Sequence, residues 1–179
     1  GKIILAGSFT TFNGVPTSTV VRLNGDGTLD TEFVPQQAGY VRAKAVALQA
    51  DGKILLGGEF NTYAGTPCSG LVRLNIDGTL DEDFTLGTPW PQFSSSYIEE
   101  IVVQPDGKIL LGGQFYTYNA MSFSGLARLD QDGTLDTQFD PGSGVETQDG
   151  SSGAVNAILL HDDGRIDIGV ARDHDELQF

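Results

Sequence analysis

Residues 52–84 read GKILLGGEFNTYAGTPCSGLVRLNIDGTLDEDF, and the same stretch occurs three times in the chain. Its first copy is GKIILAGSFTTFNGVPTSTVVRLNGDGTLDTEF at 1–33, and its third is GKILLGGQFYTYNAMSFSGLARLDQDGTLDTQF at 107–139. The three align without a gap, and 16 of the 33 columns hold a single residue type. Units of this kind each leave an apolar face that only a neighbouring unit can cover, so the repeat decides the architecture. The copies begin at Gly1, Gly52 and Gly107, and a partial fourth begins at Gly164 with GRIDIGVARD before leaving the pattern, which gives periods of 51, 55 and 57 residues. The chain therefore reads as a single repeat domain over 1–179, with units at 1–51, 52–106, 107–163 and 164–179.

Each unit predicts four strands. The first is AVALQ at 45–49, with counterparts IVVQ at 101–104 and AILLH at 157–161. A glycine turn follows at Ala50-Asp51-Gly52, Pro105-Asp106-Gly107 and Asp163-Gly164, a strong hairpin signal. KILLGGEF supplies the second strand, GLVRLN at 70–75 the third, and a short TLDEDF after another Asp-Gly turn the fourth. No segment carries a 3.6-residue apolar period of helical length. Four-stranded antiparallel units repeated every fifty-odd residues predict an all-β fold, a β-propeller with about 3.5 blades present. The doublets Gly57-Gly58 and Gly112-Gly113 predict a strand approached closely by the neighbouring blade. Phe9, Phe60 and Phe115, with Phe33, Phe84 and Phe139, are expected to fill the space between blades.

Charge excludes several functions. Ten Lys and Arg against 24 Asp and Glu leave a formal charge of −14 and a pI near 4.2. A polyanion needs a basic face, so nucleic-acid binding is not expected, and an anionic membrane surface is disfavoured in the same way. One cysteine rules out an internal disulfide and a cysteine zinc site. No apolar run reaches membrane-spanning length. An opening at Gly1, in mid-blade and without Met, reads as a mature or excised piece. With its blade edges open, the isolated chain is expected not to be a stable monomer: a longer parent chain, or else head-to-tail copies, would supply the remaining blades.

The pairing of DGKILLGG-x-F with RLN-x-DGTLD-x-F resembles the delta-60 repeat, a bacterial β-propeller repeat, across essentially residues 1–166. The glycine doublet and the period are also similar to kelch, to which DGTLD is foreign. The resemblance implies a propeller within a large secreted, cell-surface or virion-associated protein. It implies no reaction and no catalytic residues.

The Asp-rich turns are the sharpest chemical candidates. Asn24, Asp26 and Asp30, with Asn75, Asp77, Asp81 and Asp130, Asp132, Asp136, stand at spacings found in calcium loops. Arg22, Arg73 and Arg128, however, occupy the place of the first carboxylate ligand. The favoured role is therefore a turn in which Asp30 and its counterparts accept hydrogen bonds or pair with arginine, and no metal or cofactor is expected. Seven of the ten basic residues are repeat-equivalent (Lys2, Lys53, Lys108, Arg165, Arg22, Arg73, Arg128), which marks them as scaffold. His161 aligns with Gln49 and Gln104, His174 lies in an acidic tail, and Cys68 aligns with Thr17 and Phe123, so no nucleophile–base set emerges.

Binding is expected where the repeat fails. Segment 86–97, LGTPWPQFSSSY, carries Trp90, Phe93 and Tyr97 on a long inter-blade loop, suited to stacking on sugars or anchoring a protein. Residues 142–153, GSGVETQDGSSG, read as a mobile loop. The sequence thus predicts a non-enzymatic structural or adhesive module that presents loops to protein subunits or glycans. A lectin propeller and a channel-site hydrolase or lyase are its rivals.

Overall fold

The computed structural model describes residues 1–17, 19–36, 41–84, 97–115, 117–118, 121–122, 125–142, 144–145 and 153–170. Among these there is no helix. The first unit holds β1 (Ile3–Ala6), β2 (Thr11–Phe12), β3 (Val15–Pro16) and β4 (Val20–Leu23). The second holds β5 (Arg42–Leu48), β6 (Ile54–Glu59), β7 (Thr62–Tyr63), β8 (Thr66–Pro67) and β9 (Leu71–Leu74). The third repeats this as β10 (Tyr97–Val103), β11 (Ile109–Gln114), β12 (Thr117–Tyr118), β13 (Met121–Ser122) and β14 (Leu126–Leu129), and the fourth has β15 (Val155–Leu160) and β16 (Ile166–Val170).

The blades are antiparallel sheets ordered β5-β6-β9 and β10-β11-β14, with the partial sheets β1-β4 and β15-β16 at either side. The expected fourth strand shrinks to one bridging pair per unit, Leu23 with Leu29, Leu74 with Leu80 and Leu129 with Leu135. The chain turns away because the Asp30 carbonyl accepts the Phe33 amide and its side chain takes the Glu32 amide, which ends the ladder after three residues. A further difference is the small hairpins β2–β3, β7–β8 and β12–β13, which the sequence reading passed over as connections. Asn13-Gly14 is the signal that marked the first, since both residues adopt positive φ (49° and 79°), as tight hairpin turns require.

Packing explains the unusual apolar runs. Ile54 to Gly58 of β6 and Ile109 to Gly113 of β11 are buried at every position, because each strand is covered on both faces by another blade. Ile54 and Leu56 join Val20, Phe33, Val41, Phe60, Tyr63, Val72 and Leu74 in one cluster between the first and second blades. Leu55 faces the other way and joins Ile98, Ile101, Ile109, Leu111, Phe84 and Phe115 between the second and third. Alternation with period two thus serves two interfaces from one strand. Phe9 and Phe139 are only half-buried. The rings of Phe33 and Phe84 reach the next unit's turn at Gly78 and Gly133, and no such turn stands beyond Phe139 among the described residues.

The glycine doublet divides its work. A methyl group at Gly57 would stand 2.8 Å from the Ile98 and Ile101 side chains of the next blade, as the sequence predicts. At Gly58 it would lie 2.0 Å from the Arg42 carbonyl oxygen, and at Gly113 2.2 Å from that of Tyr97. The second glycine is therefore fixed by the first strand of its own blade, where β5 and β10 bulge between Ala43 and Ala45 and between Ile98 and Glu100. Bulges shift register locally and re-aim the side chains beside them.

Two substitutions should move stability in opposite directions. Gly58→Ala has no room and should cost about 2 kcal/mol or more in chemical denaturation. Ala64→Asn should raise the melting temperature, because Ala64 holds φ at 52°, a conformation asparagine tolerates better.

Candidate functional site

The two ends of the blades differ in kind. One end carries both Asp-Gly turns of each unit, between first and second strands and between third and fourth. The opposite, variable end carries the starts of the first strands β5, β10 and β15 and the small hairpins β2–β3, β7–β8 and β12–β13.

At the Asp-Gly end a polar spine repeats. Arg22 Nε lies 2.6 Å from Asp30 Oδ2, Arg73 Nε 2.6 Å from Asp81 Oδ2, and Arg128 Nε 2.8 Å from Asp136 Oδ2. The lysine that opens each second strand shares that same oxygen, Lys2 at 2.9 Å, Lys53 at 2.7 Å and Lys108 at 3.0 Å. Each guanidinium also lies over its own unit's phenylalanine: Arg22 on Phe33, Arg73 on Phe84, Arg128 on Phe139. In the first two units its outer arm then crosses to the next blade. Arg22 Nη1 donates to the Ile76 carbonyl and Arg73 Nη1 to that of Gln131, at 2.5 and 2.6 Å.

These contacts hold the carboxylates ionised. The bonds from Lys2 and then Arg22 lower Asp30 from 3.8 to about 2, and the bond from Lys108 leads in lowering Asp136 to about 2. Burial pushes Asp81 upward, but Lys53 and Arg73 outweigh it and the net shift is down. The other candidate calcium ligands serve the turns. Asp26, Asp77 and Asp132 each accept the backbone amide and the hydroxyl of the threonine two residues on, at 3.0 and 2.7 Å.

The rest of the described candidates sit apart. His161 Nε2 meets Asp167 Oδ2 at 2.6 Å, joining two positions where the fourth unit departs from the repeat. A cleft of about 370 Å3 lies beside this pair, lined by Gln104, Pro105, Asp106, Leu160, His161, Asp162 and Gly164. Burial pushes the Cys68 thiol up to about 12, which leaves it a poor nucleophile. Trp90, Phe93 and His174 lie outside the described residues.

At the variable end, Tyr97 opens β10 and is half-buried. Lys44 of β5 stands over its ring, with Nζ 3.9 Å from the centroid, and reaches Glu99 Oε1 at 2.5 Å. Beside it Arg42 Nη1 pairs with Glu59 Oε2 at 3.2 Å. Sequence reasoning singled out Tyr97 as an aromatic, yet missed Lys44 as its companion. The available signal was that Arg42 and Lys44 are basic residues outside the repeated columns.

Against this geometry, the family model described as Domain of unknown function (DUF5122) beta-propeller matches residues 1–33, 49–84 and 104–139. The chain belongs to this family. The matched segments contain the second, third and vestigial fourth strands of the first three units and every residue of the polar spine, while Arg42, Lys44, Tyr97 and Glu99 fall between them. A search of the curated proteins gives no match.

The spine yields two predictions. Asp81→Asn leaves Lys53 and Arg73 without their carboxylate and should cost roughly 3 kcal/mol, whereas a chelator should leave the melting temperature unchanged. The folded-state carboxylates bind protons less readily than unfolded ones, so their contribution is complete above the ordinary value of 3.8 and fades as pH falls toward about 2. A melting series across that window should show the decline, and Asp81→Asn should flatten it.

Proposed function

We propose that this propeller is a non-enzymatic binding scaffold of structural or adhesive type, which presents its variable end to a protein or glycan partner. The observation that supports the reading is the division of labour between the two ends. Where sequence repeats, the residues are consumed by the Lys–Asp–Arg spine and its turns. Where it does not repeat, polar and aromatic side chains stand on rigid first strands and on the segments that lead into them. Functional residues concentrate on loops held by a stiff framework, and a stack of blades is such a framework. The secreted, surface or virion setting implied by the delta-60 resemblance accords with such a role.

Trp90→Ala and Phe93→Ala, in the segment that runs into Tyr97, should weaken binding to an immobilised glycan or protein partner at least tenfold. They should shift the melting temperature by no more than about 2 °C. Asp106→Asn, at the Asp-Gly end, should leave binding intact. If Asp106→Asn abolishes binding while both aromatic variants bind normally, the assignment of the ends is wrong.

A further inference from the structure

We infer that Lys44, Tyr97 and Glu99 form a saccharide subsite that takes two neighbouring hydroxyls of a neutral sugar. The inference rests on the binding role proposed above and names its ligand class.

Cation usage points to the place. Among the described basic residues, six build the spine and Arg165, at the fourth unit's lysine position, pairs with Asp163 at 2.8 Å. That leaves Arg42 and Lys44, which sit one residue apart in alternation on β5. The first strands β5, β10 and β15 bulge at corresponding positions, after Ala43, Ile98 and Val155. The next residue on each strand is Lys44, Glu99 and Asn156, three different polar groups in one row across three adjacent blades. The fold treats this row identically while the sequence fills it differently each time, so the common framework does not dictate which polar group stands there.

The local chemistry defines the ligand. Lys44 and Glu99 retain side-chain exposures of 30% and 19%, so their contact is held in place yet reachable. An ammonium has three donors and a carboxylate several acceptor positions, so a single mutual bond leaves both with capacity. A donor beside an acceptor suits adjacent ring hydroxyls, one accepting from Lys44 Nζ and the other donating to Glu99. Tyr97, lying beneath the ammonium, adds an amphipathic aromatic wall. An anionic ligand would confront Glu59 and Glu99, and a cationic one Arg42 and Lys44. A neutral polyhydroxylated ring meets neither penalty. The cross-blade bond and the ring contact fix both groups beforehand, which reduces the ordering cost of binding.

The test is a screen of the 179-residue chain on an array of neutral and acidic oligosaccharides, followed by calorimetric titration with the strongest neutral hit. Lys44→Met, Glu99→Gln and Tyr97→Ala should each weaken that affinity at least tenfold with unchanged melting behaviour. Tyr97→Phe, which keeps the ring, should stay within about threefold of the parent. Affinity should hold when salt is raised tenfold, since the ligand carries no charge. Neutral-sugar binding that survives all three substitutions places the site elsewhere and overturns the inference. So does an array on which only acidic glycans bind, or none. In those cases a protein partner still lost on Trp90→Ala would leave the broader binding role standing.

Discussion

One guanidinium gathers three parts of this molecule. Arg73 holds Asp81 through Nε, covers Phe84 with its plane, and reaches the Gln131 carbonyl in the next blade through Nη1. Arg22 repeats the arrangement across the preceding interface. Arginine alone supplies this, because its planar fork separates donors that point in different directions and its face stacks on aromatic rings. A lysine could satisfy the carboxylate but not the remote carbonyl. Apolar burial between sheets is not directional. The arginine fork adds the specific registration of one blade against the next.

That registration frees the other end of the blades. Two cations on one carboxylate at the Asp-Gly end recur in each of the first three units. The inter-blade segments vary in length and composition while the units beneath them stay alike. The charged contact between Lys44 and Glu99 is of the second kind, local to one pair of blades. It contributes little to the common framework, being partly exposed.

What the sequence disclosed follows from distance along the chain. Arg22 and Asp30 are eight residues apart across a short turn, so their pairing was legible from the repeat and local turn chemistry. The lysines sharing those carboxylates are 28 residues away, and the carbonyls reached by Arg22 and Arg73 are 54 and 58 away. The lysine contacts depend on the register of the second strand against the third, and the carbonyl contacts on how one sheet is rotated over another, neither of which period and composition encode. The same holds for Lys44 and Glu99, 55 residues apart and brought together where the first strands bulge. The expected fourth strand failed for a local reason, the Asp30 turn, whose hydrogen bonds remove the backbone from the ladder before a full strand can form.

The double coverage of the second strands carries a consequence for how the molecule moves. β6 and β11 are buried on both faces, whereas β5 and β10, paired to them, alternate covered and more exposed positions. In a stack whose stability is a sum of unit and nearest-neighbour terms, such a gradient gives the strands of one blade different opening free energies. Amide protons of β6 and β11 are expected to exchange with solvent only through the largest openings. The framework is therefore graded in time as well as in space, with the slowest-opening strands directly paired to β5 and β10, on which Lys44, Tyr97 and Glu99 stand.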